Sequence, residues 1–229
     1  MVMKTIIPKG TFTNELWSNI EDVYQSILKC NYITKLLNGT LKRESFDYYM
    51  AQDILFVRKY DEALRLLVGR SPDDTTWNFF NQLVTQGTEI EKIMHDEYLK
   101  YFHIEEALEP SPAFGGYENF IIDHARSMPY PVAVAALLSG LWVYDNIFIE
   151  ISGNSVNNNP YQKVIDAHAG AEFEDYVEKY VEKFIQVTEE LGRQAPRELQ
   201  EEMKKAFTQA TEFELALFEE AEKFSEQRQ

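Results

Sequence analysis

The stretch Val132-Ala-Val-Ala-Ala-Leu-Leu-Ser-Gly-Leu-Trp-Val-Tyr-Asp-Asn-Ile-Phe-Ile-Glu-Ile151 is apolar for almost its whole length. It follows Pro129 and Pro131, which end one helix and start the next. A membrane span is the alternative, but Asp145 and Glu150 interrupt the run and no basic residues flank it. The sequence therefore predicts a fully buried central helix.

Apolar residues also recur at helical spacing on both sides of this stretch, whereas no segment alternates with period two. The breaks between these stripes are formed by turn and capping residues such as Asn38-Gly39-Thr40 and Ser71-Pro72-Asp73-Asp74. The predicted helices cover about residues 17–28, 46–67, 75–102, 111–127, 132–151, 161–168, 173–191 and a final segment after Pro196. We expect an all-α bundle of about eight helices forming one domain over residues 1–229.

Charge and cysteine content narrow the classes of function. The 38 Asp and Glu residues outnumber the 22 Lys and Arg residues, and the formal net charge of −16 disfavours nucleic acid and membrane surfaces as partners. The single cysteine, Cys30, excludes an internal disulfide and a cage of thiolates around a metal, which fits a reducing compartment. The first twelve residues contain no secretory signal, so a cytoplasmic protein is expected.

Two carboxylates occupy positions that the helical pattern reserves for apolar residues. Asp53 has such a position in the second helix, and Glu214 has one in the last helix. Burying an unpaired carboxylate costs several kcal/mol or raises its pKa, so two such positions require an explanation. A ligand pocket is one explanation, and a structural hydrogen-bond network with Tyr, Trp or Arg is the other.

The predicted central helix also contains polar residues that could belong to a pocket. In the central helix, Asp145 and Tyr144 lie about one turn from Gly140, which permits close approach of a ligand or a helix. Tyr144 also fits an ordinary core position.

His168, Glu172 and Asp175 have the spacing i, i+4 and i+7, which would align three metal ligands on one helix face. Together with Asp145, and with Glu89 and His95, they motivate a metal-dependent oxidase as an alternative. The competing interpretation, which we adopt, is that the acidic residues are solvated, that His168 is a core or pocket residue, and that no metal is bound.

Specific stretches of sequence are shared with a known family. They are Asn38-Gly39-Thr40-Leu41 with Phe46, Tyr48-Tyr49 and Gln52-Asp53; Ser111-Pro112 with Tyr117 and the run Ala135 to Tyr144; and Asn159-Pro160-Tyr161-Gln162-Lys163-Val164-Ile165. On these residues the chain resembles the TenA family, whose aminopyrimidine-processing members include thiaminase II. The resemblance extends from about Trp17 into the last helix.

This resemblance implies a heme-oxygenase-like helical bundle, a homotetramer or dimer, and a deep pocket for an aminopyrimidine. Asp53 matches the aspartate that binds the amino group and ring nitrogen of the pyrimidine. Glu214 matches the acid/base glutamate, and Tyr117 and Tyr144 match pocket tyrosines. No cofactor is expected.

The chain also departs from the family pattern. The nucleophilic cysteine of the Leu-Pro-Cys-x-Trp stretch is replaced by Gly140, which excludes covalent catalysis at that position. Ser139 lies one residue away, on another helix face. Phe56 replaces an aromatic hydroxyl, and His168 replaces a tyrosine.

We therefore expect a TenA-like protein of thiamine salvage that binds an aminopyrimidine and uses water as nucleophile, with weak or absent thiaminase activity. A ligand-binding protein without catalysis is an alternative of another class.

Overall fold

A computed structural model describes residues 4–224, apart from the side chains of residues 89–95. Within that part the chain forms helices and contains no strand, which confirms the all-α prediction. The α-helices are α1 (Thr11–Lys29), α2 (Asn31–Leu37), α3 (Arg43–Arg70), α4 (Asp74–Gln82), α5 (Thr88–Phe102), α6 (Pro112–Ser127), α7 (Tyr130–Asn154), α8 (Gln162–Ala167), α9 (Ala171–Tyr176), α10 (Glu182–Gln194) and α11 (Arg197–Phe224).

Two π-helical turns join some of these helices into longer rods. Leu83–Gly87 connects α4 to α5, and Val177–Val181 connects α9 to α10. Residues 4–224 thus contain nine continuous rods, one more than the predicted eight. The additional rod is α2, a seven-residue helix that the sequence prediction did not include. Cys30 lies in the break between α1 and α2.

The helix α7 forms the centre of the molecule. It packs against α11, α6, α10 and α3, and its residues 132–139 and 141–143 are buried. The helix is long and apolar enough to cross a membrane, but 89% of its most apolar window is buried inside the protein. Packing against neighbouring helices therefore accounts for its apolar sequence, as predicted.

The extended segment before α1 is attached to this central helix. The backbone N–H of Ile6 donates to Oδ1 of Asn146 at 2.7 Å, and the carbonyl of Ile6 accepts from Asn146 and from Nε1 of Trp142, both at 3.0 Å. Glu189 of α10 then accepts from the backbone N–H of Thr13 at 2.7 Å. This carboxylate satisfies free N–H groups at the start of α1.

Both ends of α6 are fixed by side chains from other helices. Glu220 accepts from the backbone N–H of Ala113 at 2.9 Å, and Arg70 donates to two carbonyl oxygens at the far end, at 2.5 and 2.6 Å. Opposite charges at the two ends suit the helix dipole. The helix that carries Tyr117 is therefore held firmly against its neighbours.

The two π-helical turns lie against each other. Oε1 of Gln86 in the first turn accepts from Nζ of Lys179 at 2.9 Å and from the hydroxyl of Tyr180 at 3.2 Å in the second. The contact joins the rod that contains α5 to the rod that contains α9. Both rods contribute to the wall of the cavity described next.

Candidate active site

A cavity of about 360 Å³ opens between the core helices α3, α7 and α11 on one side and α5, α8 and α9 on the other. Six of the seven residues predicted for the site line it: Asp53, Phe56, Gly140, Tyr144, His168 and Glu214. The roles assigned to them from the family resemblance stay predictions. They converge on one cavity from α3, α7, α11 and the segment that follows α8.

Glu214 lies at the inner end of the cavity on α11. It is 2% exposed, which confirms the burial predicted from the helical stripe. Burial raises the pKa of this carboxyl to about 8, and the charge of Asp53 adds to the increase, while a hydrogen bond from Tyr117 opposes it. Near neutral pH both the protonated and the ionised forms of Glu214 are accessible.

Tyr117 stands behind Glu214 and is not among the residues that line the cavity. Its hydroxyl donates to Oε1 of Glu214 at 3.0 Å, and the side chain is fully buried. The ring is stacked between Phe56, at 4.7 Å between centroids, and Phe213, at 5.2 Å. The family resemblance implied a pocket tyrosine, whereas here Tyr117 supports the carboxylate from behind.

Asp53 lies on α3 and is 4% exposed, so its predicted burial is also confirmed. The preceding residue, Gln52, accepts from the backbone N–H of Ser111 at 2.8 Å and donates to the carbonyl of Glu109 at 3.2 Å. This amide fixes the entry to α6 beside α3. Gln52 therefore holds the start of α6 while Asp53 lines the cavity, because adjacent residues of a helix point in different directions.

Gly140 faces Tyr60, which was not among the predicted site residues. A Cβ atom at position 140 would lie 2.8 Å from Cε2 of Tyr60. The tyrosine is held there by its hydroxyl, which donates to the carbonyl of Leu137 at 2.6 Å. The aromatic ring thus occupies the space that a side chain at position 140 would need.

His168 lines the cavity from the segment after α8 and belongs to an aromatic cluster. Its ring stacks on Phe148 at 4.4 Å and meets the edge of Tyr144 at 5.8 Å. Burial lowers the pKa of this histidine to about 4, so the imidazole is neutral at pH 7. Because Nδ1 lies 3.1 Å from the carbonyl of Val164, this nitrogen carries the proton and Nε2 is left as an acceptor.

The predicted alignment of His168, Glu172 and Asp175 on one helix face is wrong. Helix α8 ends at Ala167, and α9 begins only after Gly170, which has a φ of 94°. This left-handed glycine breaks the helical register on which the spacing argument depended. No group of three His, Cys, Asp or Glu side chains that could hold a metal is found among the described residues. Glu89 and His95 lie outside the described side chains.

The mouth of the cavity contains charged residues, of which Lys163 and Glu97 were not predicted as site residues. Nζ of Lys163 lies 3.9 Å from Glu97, and Glu172 lies on the same rim. Tyr98 and Tyr176 form part of the wall below them. Exposed charged residues and buried tyrosines occur on most amphipathic helices. The sequence pattern therefore does not distinguish these residues from ordinary surface and core positions.

The helical architecture belongs to the heme-oxygenase-like class of all-α folds. The X-ray structure of a TenA homologue from Pyrococcus furiosus superimposes with a TM-score of 0.83 at 21% identity, over 92% of this chain and 100% of that chain. This likeness concerns the fold alone.

Residues 17–219 match the model of the TENA/THI-4/PQQC family, and the chain belongs to this family. It is 31% identical over 169 residues to the thiamine biosynthesis multifunctional protein ThiED of Corynebacterium efficiens, which is 73% of this chain and 23% of that protein. The chain thus spans less than a quarter of that relative. An aminopyrimidine aminohydrolase of Halalkalibacterium halodurans is 22% identical over 174 residues, covering 73% of this chain and 78% of that enzyme.

Proposed function

We propose that the protein binds a thiamine-derived aminopyrimidine in this cavity and hydrolyses its amino or formylamino group, as a step of thiamine salvage. The observation that carries the proposal is the pair of buried carboxylates, Asp53 from α3 and Glu214 from α11, lining one cavity. Relatives described as aminopyrimidine aminohydrolases and as a thiamine biosynthesis protein support the class of substrate.

Asp53 would bind and orient the ring, because an ionised carboxylate accepts hydrogen bonds from an amino group and from a protonated ring nitrogen. The ring is flat and fits between aromatic side chains such as Phe56 and Tyr144, which line the same cavity. Binding energy of this kind holds the reacting group near Glu214.

Glu214 would act as general acid and base. With a pKa of about 8 it holds a proton at neutral pH that it can donate to the departing nitrogen. Water supplies the oxygen that replaces this nitrogen, and its released proton restores the carboxyl group. No side chain at position 140 competes for this step, because that residue is glycine.

The test compares wild type with Glu214→Gln and Asp53→Asn, using ammonia or formate release and calorimetric binding of aminopyrimidines. We expect Glu214→Gln to bind but to lose about 10²–10⁴ in turnover. Asp53→Asn should weaken binding by roughly tenfold or more, since a charge-assisted hydrogen bond is lost.

Glu212→Gln is the matched control, because Glu212 is exposed on the same helix. Unimpaired turnover in Glu214→Gln would refute the mechanism. Binding without turnover in wild type would identify a ligand-binding protein instead. Assembly as a homotetramer or dimer and a cytoplasmic location stay predictions.

A further inference from the structure

The imidazole of His168 lines the cavity and is held in place by three aromatic rings. The side chain is 5% exposed. It stacks on Phe148 at 4.4 Å between ring centroids, and it meets Phe173 and Tyr144 edge to face at 5.2 and 5.8 Å. These contacts fix the plane of the imidazole, so each of its two nitrogens has a fixed direction.

The two nitrogens of this ring have different surroundings. Nδ1 lies 3.1 Å from the carbonyl oxygen of Val164, one helical turn earlier, and donates its proton to that oxygen. Nε2 has no hydrogen-bond partner among the described residues and is not fully enclosed by them, so it opens to the cavity that the side chain lines. Because the proton is on Nδ1, Nε2 can only accept a hydrogen bond.

An acceptor in this position discriminates between ligands. The imidazole stays neutral at pH 7, since burial lowers its pKa to about 4, and the lone pair of Nε2 therefore stays available. In the ligand-free protein, solvent can donate to Nε2. A ligand that fills the cavity must supply a donor in place of solvent, or leave the nitrogen buried and unpaired, which weakens binding.

The other polar groups of the cavity favour the same kind of ligand. Among the described residues that line it, Lys163 at the mouth is the only one with a positive charge. The carboxyl groups that line it belong to Asp53, Glu97, Asp145, Asp166, Glu172 and Glu214. Such a wall repels anionic ligands and complements a ligand that carries several N–H or O–H groups.

We propose that Nε2 of His168 accepts a hydrogen bond from an N–H or O–H group of the bound ligand, which makes His168 a specificity-determining residue. The place of this donor rests on the proposed function, in which Asp53 binds the amino group and a ring nitrogen of the pyrimidine. The donor that faces His168 then belongs to another substituent of the ring. The cavity selects aminopyrimidines whose substituent carries an N–H or O–H group over those with an alkyl substituent.

The first experiment measures calorimetric binding of two probes that differ by one hydroxyl, 4-amino-5-hydroxymethyl-2-methylpyrimidine and 4-amino-2,5-dimethylpyrimidine. Wild type should bind the hydroxymethyl compound about tenfold to a hundredfold more tightly. His168→Phe keeps a ring against Phe148 but removes the acceptor, so its preference should fall close to one. A merely structural role would weaken both probes equally. If His168→Phe does not fold, His168→Leu removes the same acceptor.

A matched control histidine is present on α6. Nδ1 of His124 lies 2.8 Å from the carbonyl oxygen of Phe120, also one turn earlier, and its ring packs on Phe120 at 4.0 Å. His124 is not among the residues that line the cavity. His124→Phe should therefore leave the preference for the hydroxymethyl compound at the wild-type value.

The second experiment observes the acceptor directly, by ¹⁵N NMR of ring-labelled histidine at pH 7, with His168→Phe assigning the signals. The hydroxymethyl compound should move the Nε2 signal of His168 further than the dimethyl compound does. Phenylmethanol and toluene repeat the same donor difference without a pyrimidine ring. Phenylmethanol should move the Nε2 signal, whereas toluene should leave it nearly unchanged.

Equal affinity of wild type for the two pyrimidines, or a preference that survives in His168→Phe, would overturn the role of His168. An Nε2 signal that responds to neither donor-bearing probe would overturn it as well. If neither pyrimidine binds but phenylmethanol alone moves the Nε2 signal, the proposed function fails while the acceptor role of His168 stands.

Discussion

The inner end and the mouth of the cavity both contain charged groups, but in opposite surroundings. Glu214 and Asp53 at the inner end are 2% and 4% exposed, whereas the side chains of Lys163 and Glu97 at the mouth are 36% and 63% exposed. Water screens the charges at the mouth, so they contribute little to stability. At the inner end, burial raises the pKa of the Glu214 carboxyl to about 8. The proposed acid–base chemistry therefore depends on the inner end of the cavity.

The largest expected effect of this contrast is the dependence of stability on the protonation of Glu214. Its pKa is raised by burial from 4.5 to about 8 in the folded protein, so the folded state holds the proton more tightly than the unfolded state. Stability is therefore lost as pH rises from about 4.5 to about 8, by roughly 4–5 kcal/mol. Glu214→Gln should remove this loss, measured by urea denaturation across pH.

The exposed Glu212→Gln is again the control, and its pH profile should follow that of wild type. If wild type and Glu214→Gln lose stability in parallel over this range, the inner end is solvated and the contrast with the mouth is wrong.

The next effect concerns His168 and has the opposite sign. Burial lowers its pKa from 6.5 to about 4, so the unfolded state binds the proton more tightly. Its contribution to stability is complete above pH 6.5 and is lost as pH falls toward 4, by roughly 3 kcal/mol. His168→Phe keeps an aromatic ring against Phe148 and should flatten this acidic loss. His103→Asn, at an exposed position, should not change it.

A smaller effect is expected for Gly140→Ala. Helix propensity alone predicts stabilisation by about 1 kcal/mol, but the new Cβ would lie 2.8 Å from the ring of Tyr60. Overpacking should reverse the sign and cost about 1–3 kcal/mol. Gly69→Ala, where nothing lies within 4 Å, should stabilise. Adding Tyr60→Leu to Gly140→Ala should recover part of the loss, and a failure to recover would show that the ring is not the obstacle.

The close approach of the Tyr60 ring to Gly140 also predicts the behaviour of Gly140→Cys. A thiol at this position cannot occupy the space held by Tyr60, so the substitution alone should not create a cysteine enzyme. Labelling of the thiol by an alkylating reagent, compared with Cys30 in the wild type, would measure its access.

The smallest effect is expected at the mouth. Lys163→Ala removes a side chain that lies 3.9 Å from Glu97, with both side chains at least one-third exposed. Stability in urea should change by less than about 0.5 kcal/mol. A loss of several kcal/mol would mean that the mouth is as desolvated as the inner end.

Much of the architecture could be predicted because helical periodicity is a local property of the sequence. The stripe in α11 placed Glu214 in the core, and the helix predicted over residues 111–127 agrees with α6, which begins at Pro112. What periodicity could not supply is contact between distant helices. The ring of Tyr60 at Gly140 and the hydroxyl of Thr211 at Ser139 depend on how α3, α7 and α11 pack.

The prediction that His168, Glu172 and Asp175 share one helix face is wrong for a related reason. A spacing of i, i+4 and i+7 means one helix face only if the helix continues, but α8 ends at Ala167 and Gly170 turns the chain before α9 begins. The segment has no other signal that distinguishes a continuous helix from two short ones, since glycine is tolerated within helices.

The contact between the two π-helical turns has a consequence for insertions and deletions. Each turn accommodates one residue more than an α-helix would place there. Deleting one residue from Leu83–Gly87 would therefore restore a regular helix and leave the helix beyond it facing the same way. Deleting one residue from the regular part of α5 before Glu97 would instead rotate everything beyond the deletion by about 100°. Tyr98 and Glu97 would then turn away from the cavity while the side chains of the opposite wall stayed in place. The place of a lost codon relative to the π-helical turn thus decides whether one wall of the cavity is reshaped.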